Sequence, residues 1–281
     1  MDIKTAISKA TERLAKEPIG PPRMAAETLM MFALGCDRAH LYAHPKRELN
    51  PQEQSKYEDA VALRAGGKPL QYITGVQEFW GLEFSVSPAV LIPRPETEHL
   101  VSAALEKVAL MNRDDVRIID VGTGSGCVAL ALASELPEAN LEACDISAAA
   151  LEVARKNGVK LGFADRVKFY ESDLLCAAEG EFDIIVSNPP YVASQEFAGL
   201  MPEVAGFEPR LALDGGVDGL DAYRALAGAS HKLVTPGGRF VIEVGAGQAL
   251  EVASLFAEAG WRAQRTWKDL GGIERVVSVE H

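Results

Sequence analysis

The chain has 281 residues, 48% of them hydrophobic, and a formal net charge of −12. That is apolar material for one large core with a smaller attachment, and no apolar stretch approaches the roughly 18 residues that a membrane-spanning helix needs. An acidic average surface repels polyanions and no Lys/Arg run supplies a basic patch, so the composition argues against a nucleic-acid partner and for a protein or small molecule.

The opening stretch MDIKTAISKATERLAKE places Ile3, Ala6, Ile7, Ala10 and Leu14 at helical spacing. It carries acidic residues, unlike a signal or transit peptide, so a cytoplasmic protein is expected. PPRMAAETLMMFALG and NPQEQSKYEDAVALRAGG repeat the helical pattern between Pro and Gly stops. Residues 1–72 are therefore expected to form a helical domain. YITGVQEFWGLEFSVSP is rich in aromatic and β-branched residues punctuated by glycine, which predicts a β-hairpin linker over residues 73–95.

From residue 96 to 281 strands and helices alternate: VRIIDV, the helix CVALALASEL, LEACDI, the helix AAALEVARKNG, VKFYES and FDIIVS. After a longer loop come the helix DAYRALAGASHKLV, a TPGG turn, RFVIEV, the helix QALEVASLFAEAG and a closing ERVVSVE. Apolar strands separated by helices predict an α/β domain with a parallel sheet covered on both faces. Cys36, Cys127, Cys144 and Cys176 stand singly with no C-x-x-C spacing, and His40 and His44 lack a third ligand. Reduced thiols and no metal are expected.

IIDVGTGSGCVALAL reads as a strand, a glycine loop and a helix, which brings a ligand against a helix N-terminus. Glycines fall at Gly122, Gly124 and Gly126; a dinucleotide fingerprint would need a glycine where Cys127 stands, and the loop lacks the Lys of a P-loop. Asp145 and Asp173 end the next two strands. An acid about 20 residues past such a loop is placed to accept from both ribose hydroxyls, and Asp173 is placed to accept from an adenine amino group. An adenosine site without a pyrophosphate clamp fits S-adenosylmethionine, whose carboxylate suits backbone N–H donors. In these features the sequence resembles the class I methyltransferases, which implies a seven-stranded, mostly parallel sheet with its last strand antiparallel and helices on both faces.

The apolar run FDIIV is followed by SNPPY. An amide nitrogen is a poor nucleophile because its lone pair is delocalised. Proline has no N–H, and the residue before a proline is pushed to extended geometry, so N-P-P presents stiff carbonyl acceptors without competing donors. The Asn188 side chain and the Pro189 carbonyl would hold both N–H bonds of a planar NH₂ and aim its lone pair, while Tyr191 would wall the pocket.

N-P-P-Y alone leaves adenine-N6 DNA methylation and glutamine-N5 protein methylation open. GKPLQYITGVQEFWGLEFSVSPAVLIPRPETEHLV, DVGTGSGCVALALA, SNPPYV, EPRLALDGGVDGLDAYR and DLGGIERVV together resemble the HemK/PrmC family over essentially the whole chain. That resemblance implies S-adenosylmethionine-dependent methylation of the glutamine in the Gly-Gly-Gln loop of peptide chain release factors, with the N-terminal helices gripping the protein substrate. It places the cofactor loop on Gly122, Thr123, Gly124, Ser125 and Gly126, the ribose acid on Asp145, and the adenine side on Asp173 and Leu174, where the family often has an aromatic residue after the acid. Asn188 would touch cofactor and substrate, with Pro189, Pro190 and Tyr191 completing the glutamine pocket. Arg94 and Glu96 of PRPETE would order the loop over the cofactor or serve structure alone. A ribosomal-protein glutamine is the near alternative; a DNA adenine enzyme would need a basic target-recognition region that is absent here.

Overall fold

The computed structural model describes residues 1–281. The chain divides into two compact units, Met1–Val76 with Leu200–Glu208, and Gln77–Gly199 with Pro209–His281. No helix is long and apolar enough to cross a membrane.

The first unit is helical: Ile3–Leu14, Pro22–Leu34, Arg38–Ala43, Pro51–Ala65 and Leu70–Thr74, joined by Pro202–Phe207. Three of these helix starts are fixed by side chains, Asp2, Asp37 and Asn50, that satisfy backbone N–H groups left open by helix geometry. Asp2 accepts from the Thr5 N–H, and Asn50 and Glu53 form a reciprocal capping box. The apolar stripe Ile3, Ala6, Ala10 and Leu14 is buried against Leu29, Met30, Tyr57 and Val61. Arg64, itself buried, donates to Glu203 at 2.5 Å and so ties the late segment to this unit. The predicted hairpin begins later than its sequence suggested. Leu70–Thr74 makes a helical turn that Gly75 closes at φ +80°, and the extended backbone starts at Val76.

In the hairpin, β1 (Val76–Phe79) and β2 (Leu82–Ser85) meet through Trp80 and Gly81, both at positive φ. Trp80 is held there by two carboxylates: its N–H donates to Glu98 Oε1 and its indole Nε1–H to Glu135 Oε1, each at 2.9 Å.

The main sheet has seven strands in the order β5-β4-β3-β6-β7-β9-β8: β3 Arg117–Val121, β4 Asn140–Asp145, β5 Val167–Glu171, β6 Phe182–Ser187, β7 Val234–Glu243, β8 Arg262–Lys268 and β9 Glu274–Glu280. Neighbours from β5 to β7 pair parallel, and β9 alone runs against the rest, antiparallel to β7 and β8. Strand alternation feeds two cores. Ile118, Ile184, Val186 and Val241 pack with Leu100, Leu130 and Leu132 of the helices Glu98–Ala109 and Cys127–Glu135. Ile119, Ile185, Phe240 and Ile242 pack with Tyr223 and Leu226 of Asp221–Ser230 and with Val252 and Phe256 of Ala249–Glu258. Two sequence expectations change here. TPGG is no turn between elements but part of β7, which passes through it with a register shift against β6. RAQRTWK forms the edge strand β8, whose exposed residues gave no apolar pattern to read.

Candidate active site

From β3 the chain steps outward to β4 and β5, then crosses to β6 on the other side of β3. Such a reversal opens a crevice at the carboxyl ends of the two central strands. Val121 pairs with both Ser187 and Cys144, so Gly122 and Asn188, each one residue further on, leave the sheet beside Asp145, the last residue of β4. A cavity of about 370 Å³ sits there, within the roughly 300–1,000 Å³ typical of small-molecule sites.

Gly122, Gly124 and Gly126 all take positive φ, at 74°, 56° and 82°. Their roles differ. A Cβ built on Gly122 or Gly124 would meet no protein atom within 4 Å, whereas one on Gly126 would lie 3.2 Å from Ala154 Cβ and from Leu130 Cδ1. The first two therefore leave open a cradle, and the third lets the helix Ala148–Leu161 approach. The loop is tied down from several sides. Gly122 and Thr123 donate to the Cys144 carbonyl, Gly124 donates to Asp145 Oδ2 at 2.9 Å, and the buried Asn157 amide donates to the Ser125 carbonyl at 2.9 Å. The Ser125 hydroxyl lines the cavity with no nitrogen or oxygen partner in the protein; its neighbour is the Cys127 thiol. A glycine cradle, an unpartnered hydroxyl buried beside it and backbone donors at a helix start suit a small polar ligand with an anionic end.

Beneath the loop, Asp120 accepts from the Thr123 hydroxyl at 2.6 Å and from the Ala129 N–H at 3.2 Å. Burial pushes its carboxyl up to about 7, against the pull of those two bonds. Asp145 is likewise raised by burial, while hydrogen bonds from Ser147, Gly124 and Ile146 oppose the shift. Each of its oxygens already takes one backbone N–H, which orients the carboxylate and leaves further lone pairs for a ligand. Asp173 is exposed and Leu174 half-buried; both line the cavity. Leu174 takes φ +47°, a conformation costly for a side chain with a Cβ, and its carbonyl accepts from the Cys144 thiol.

Asn188 and Pro190 line the same cavity, as do Arg94 and Thr97; Gly126, Pro189, Tyr191 and Glu96 do not. Pro189 is buried, and the Tyr191 ring packs on the core that contains Tyr223 and Val244. Burial raises the Tyr191 phenol, and the Tyr191 carbonyl accepts from Gln248 Nε2 at 3.2 Å. Tyr191 thus braces the turn from behind. The Asn188 side chain is held by Thr97: its Nδ2 donates to Thr97 Oγ1 at 3.2 Å. Glu243, at the end of β7, is 2% exposed. Burial pushes it up to about 7, opposed by the Thr97 hydroxyl, Arg275 and Arg94 and reinforced by Glu96. Thr97, Asp120, Asn157 and Glu243 were not singled out from sequence.

The four cysteines are free, and no group of three or more His, Cys, Asp or Glu side chains is placed to hold a metal. Burial raises Cys127 and Cys144 to about 12, so neither is a ready nucleophile.

Comparison with known proteins places this site in context. Residues 5–75 match the model of the PrmC N-terminal domain and residues 100–203 that of the methyltransferase small domain. A release factor glutamine methyltransferase from Koribacter versatilis is 46% identical over 279 residues, covering 99% of this chain and 98% of its own. The chain belongs to the release factor glutamine methyltransferase family. Another release factor glutamine methyltransferase, from Moorella thermoacetica, is 44% identical over 98% of this chain and 97% of its own. A crystal structure of a methyltransferase from Pyrococcus furiosus, 16% identical, overlays with a TM-score of 0.52 over 80% of this chain and 98% of that one, which places the fold among methyltransferases.

Proposed function

We propose that this protein transfers the methyl group of S-adenosylmethionine to the side-chain amide nitrogen of the glutamine in the Gly-Gly-Gln loop of peptide chain release factors, as a cytoplasmic enzyme. The observation that carries this reading is the placement of Asn188 beside the glycine loop on one cavity, at adjacent strand ends. The match to release factor glutamine methyltransferases over 99% of the chain supports the substrate, and the net charge of −12 favours a protein over a polyanion.

When bound, S-adenosylmethionine supplies an electrophilic methyl on a sulfonium. The glycine loop would hold its carboxylate end through the Ser125 backbone N–H, since the Thr123 and Gly124 N–H groups already donate to Cys144 and Asp145; Asp145 would hold its ribose hydroxyls, and Asp173 with Leu174 its adenine. The Asn188 side-chain oxygen accepts an N–H bond of the target amide, while Pro189, which lies buried off the cavity wall, Pro190 and Tyr191 keep that turn stiff. Holding the NH₂ in this way directs its lone pair at the methyl, and the hydrogen bond strengthens as the nitrogen becomes positive, before it releases a proton. The N-terminal helices, residues 1–72, dock the folded factor.

The test is incubation with labelled cofactor and intact release factor, a Gln→Ala factor, the isolated loop peptide and adenine-containing DNA. Label in intact factor well above peptide is expected. Label in DNA, or equal label in the Gln→Ala factor, would overturn the proposal. Asn188→Ala is expected to abolish transfer while leaving cofactor affinity nearly intact, because its main bond is to the reacting nitrogen.

A further inference from the structure

The two ends of an asparagine amide have the same shape but opposite hydrogen-bonding character: one accepts and the other donates. Only one orientation of Asn188 is compatible with accepting an N–H from a substrate amide. In the reverse orientation its own NH₂ would face the substrate NH₂, donor against donor. Nothing in the shape of the side chain decides between the two, so a neighbouring group must.

The structure supplies one. Asn188 Nδ2 donates to Thr97 Oγ1 at 3.2 Å, and Thr97 is 2% exposed. A hydroxyl alone would not settle the matter, because it can donate as readily as it accepts. The Thr97 hydroxyl, however, is also hydrogen-bonded to the side chain of Glu243, which is 2% exposed and carries an oxygen, Oε2, with no partner of its own. Burial raises Glu243 to about 7 against the pull of the Thr97 hydroxyl, Arg275 and Arg94, so at pH 8 its carboxylate is ionised and only accepts. Thr97 must then give its single proton to Glu243 and accept from Asn188, which leaves the Asn188 oxygen facing the cavity.

We propose that Thr97 and Glu243 are positioning residues that fix the acceptor end of the Asn188 amide toward the substrate. This rests on the glutamine-methylation reading for its kinetic consequence, but the orientation itself belongs to the free protein. Neither residue touches the reacting atoms. Thr97 reaches the site from the start of the helix Glu98–Ala109, and Glu243 from the far end of β7. The arrangement links the loop that carries PRPETE to the N-P-P-Y turn, 91 positions apart.

The experiment has two arms on the full-length protein. In the first, Thr97→Val, Thr97→Ser and Glu243→Gln are assayed with release factor, and cofactor binding is followed by calorimetry. Thr97→Val keeps the volume and loses the hydroxyl; it is expected to lower kcat about tenfold or more with cofactor Kd within about threefold, since orientation at the reacting group is lost and binding is not. Thr97→Ser restores turnover, and Glu243→Gln, whose amide can donate to Thr97, falls between. In the second arm, protein with nitrogen-15 asparagine is followed by NMR, with the Asn188 amide identified from its absence in Asn188→Ala. Slow exchange of one Asn188 amide proton in the parent and in Thr97→Ser, and fast exchange in Thr97→Val, would support the proposal. Normal kcat in Thr97→Val, turnover in Thr97→Ser as low as in Thr97→Val, or exchange unaffected by Thr97→Val would overturn it. If the parent fails to methylate release factor, the substrate reading falls, and the NMR arm still decides on Thr97.

Discussion

Asn157 Nδ2 lies 2.9 Å from the Ser125 carbonyl oxygen, and neither residue is reached by solvent. The same nitrogen donates to the Ser85 carbonyl at 3.0 Å, while Asn157 Oδ1 accepts the Ser85 N–H at 2.7 Å. One helical side chain therefore satisfies three backbone groups, two on β2 and one in the glycine loop. It couples the hairpin to the ligand cradle through bonds that water cannot replace.

Replacing Asn157 by Ala strands those three groups. Each buried group left unpaired costs about 1–3 kcal/mol, so Asn157→Ala is expected to destabilise the protein by at least ~2 kcal/mol in urea unfolding and to weaken cofactor binding in calorimetry. An unchanged unfolding midpoint would mean that the hairpin and loop find other partners.

Gly124 and Gly126 separate conformation from packing. Both have positive φ, which costs a residue with a Cβ roughly 1–2 kcal/mol, but only at Gly126 would the Cβ press on Ala154 and Leu130. Gly126→Ala is expected to lower the melting temperature clearly more than Gly124→Ala. Gly124→Ala, with its Cβ in open space on the cavity wall, is expected to lose more cofactor affinity than stability. The reverse ranking would place the ligand away from this loop.

Asp145 both organises the loop and stays available to a ligand. Asp145→Ala removes a charged acceptor and frees the Gly124 and Ser147 N–H groups, so S-adenosylmethionine binding is expected to weaken by about 1.5–3 kcal/mol. Asp145→Asn can keep only one of those two bonds, because one end of its side chain becomes a donor, and should fall between. Calorimetry on the three proteins checks the order.

How much of this was legible in sequence depended on whether the signal was local. β3 and β6 are near-continuous apolar runs because helices cover both faces, and the glycine loop and N-P-P-Y turn follow them directly. β8 was not legible because an exposed edge strand needs no apolar alternation. Nor was the capture of Pro202–Phe207 by the first unit, which rests on the Arg64–Glu203 pair across 139 positions. Thr97 and Asn157 were hidden for the same reason: their partners are distant in the chain. Asp120 and Glu243 did leave a trace. IIDVG and VIEVG each place an acid inside an apolar strand just before a glycine, where burial without a purpose would be costly.

Those two acids set the last prediction. Burial raises both Asp120 and Glu243 to about 7 in the folded protein, against roughly 4 for free carboxyls. Between those values the folded state holds protons that the unfolded state has released. Stability from these groups is therefore fully present below about pH 4, is lost as pH rises toward 7, and levels off above it. Each such proton contributes a slope of about 1.4 kcal/mol per pH unit within the window. Asp120→Asn has no charge to bury, and its side-chain oxygen can still accept from Thr123 Oγ1 and the Ala129 N–H. Urea unfolding at pH 5, 6, 7 and 8 should show the parent losing stability relative to Asp120→Asn as pH rises, most steeply between pH 5 and 7. A constant difference between the two proteins across that range would show that Asp120 is already ionised at pH 5. The burial that isolates it beneath the glycine loop would then be offset by its hydrogen bonds.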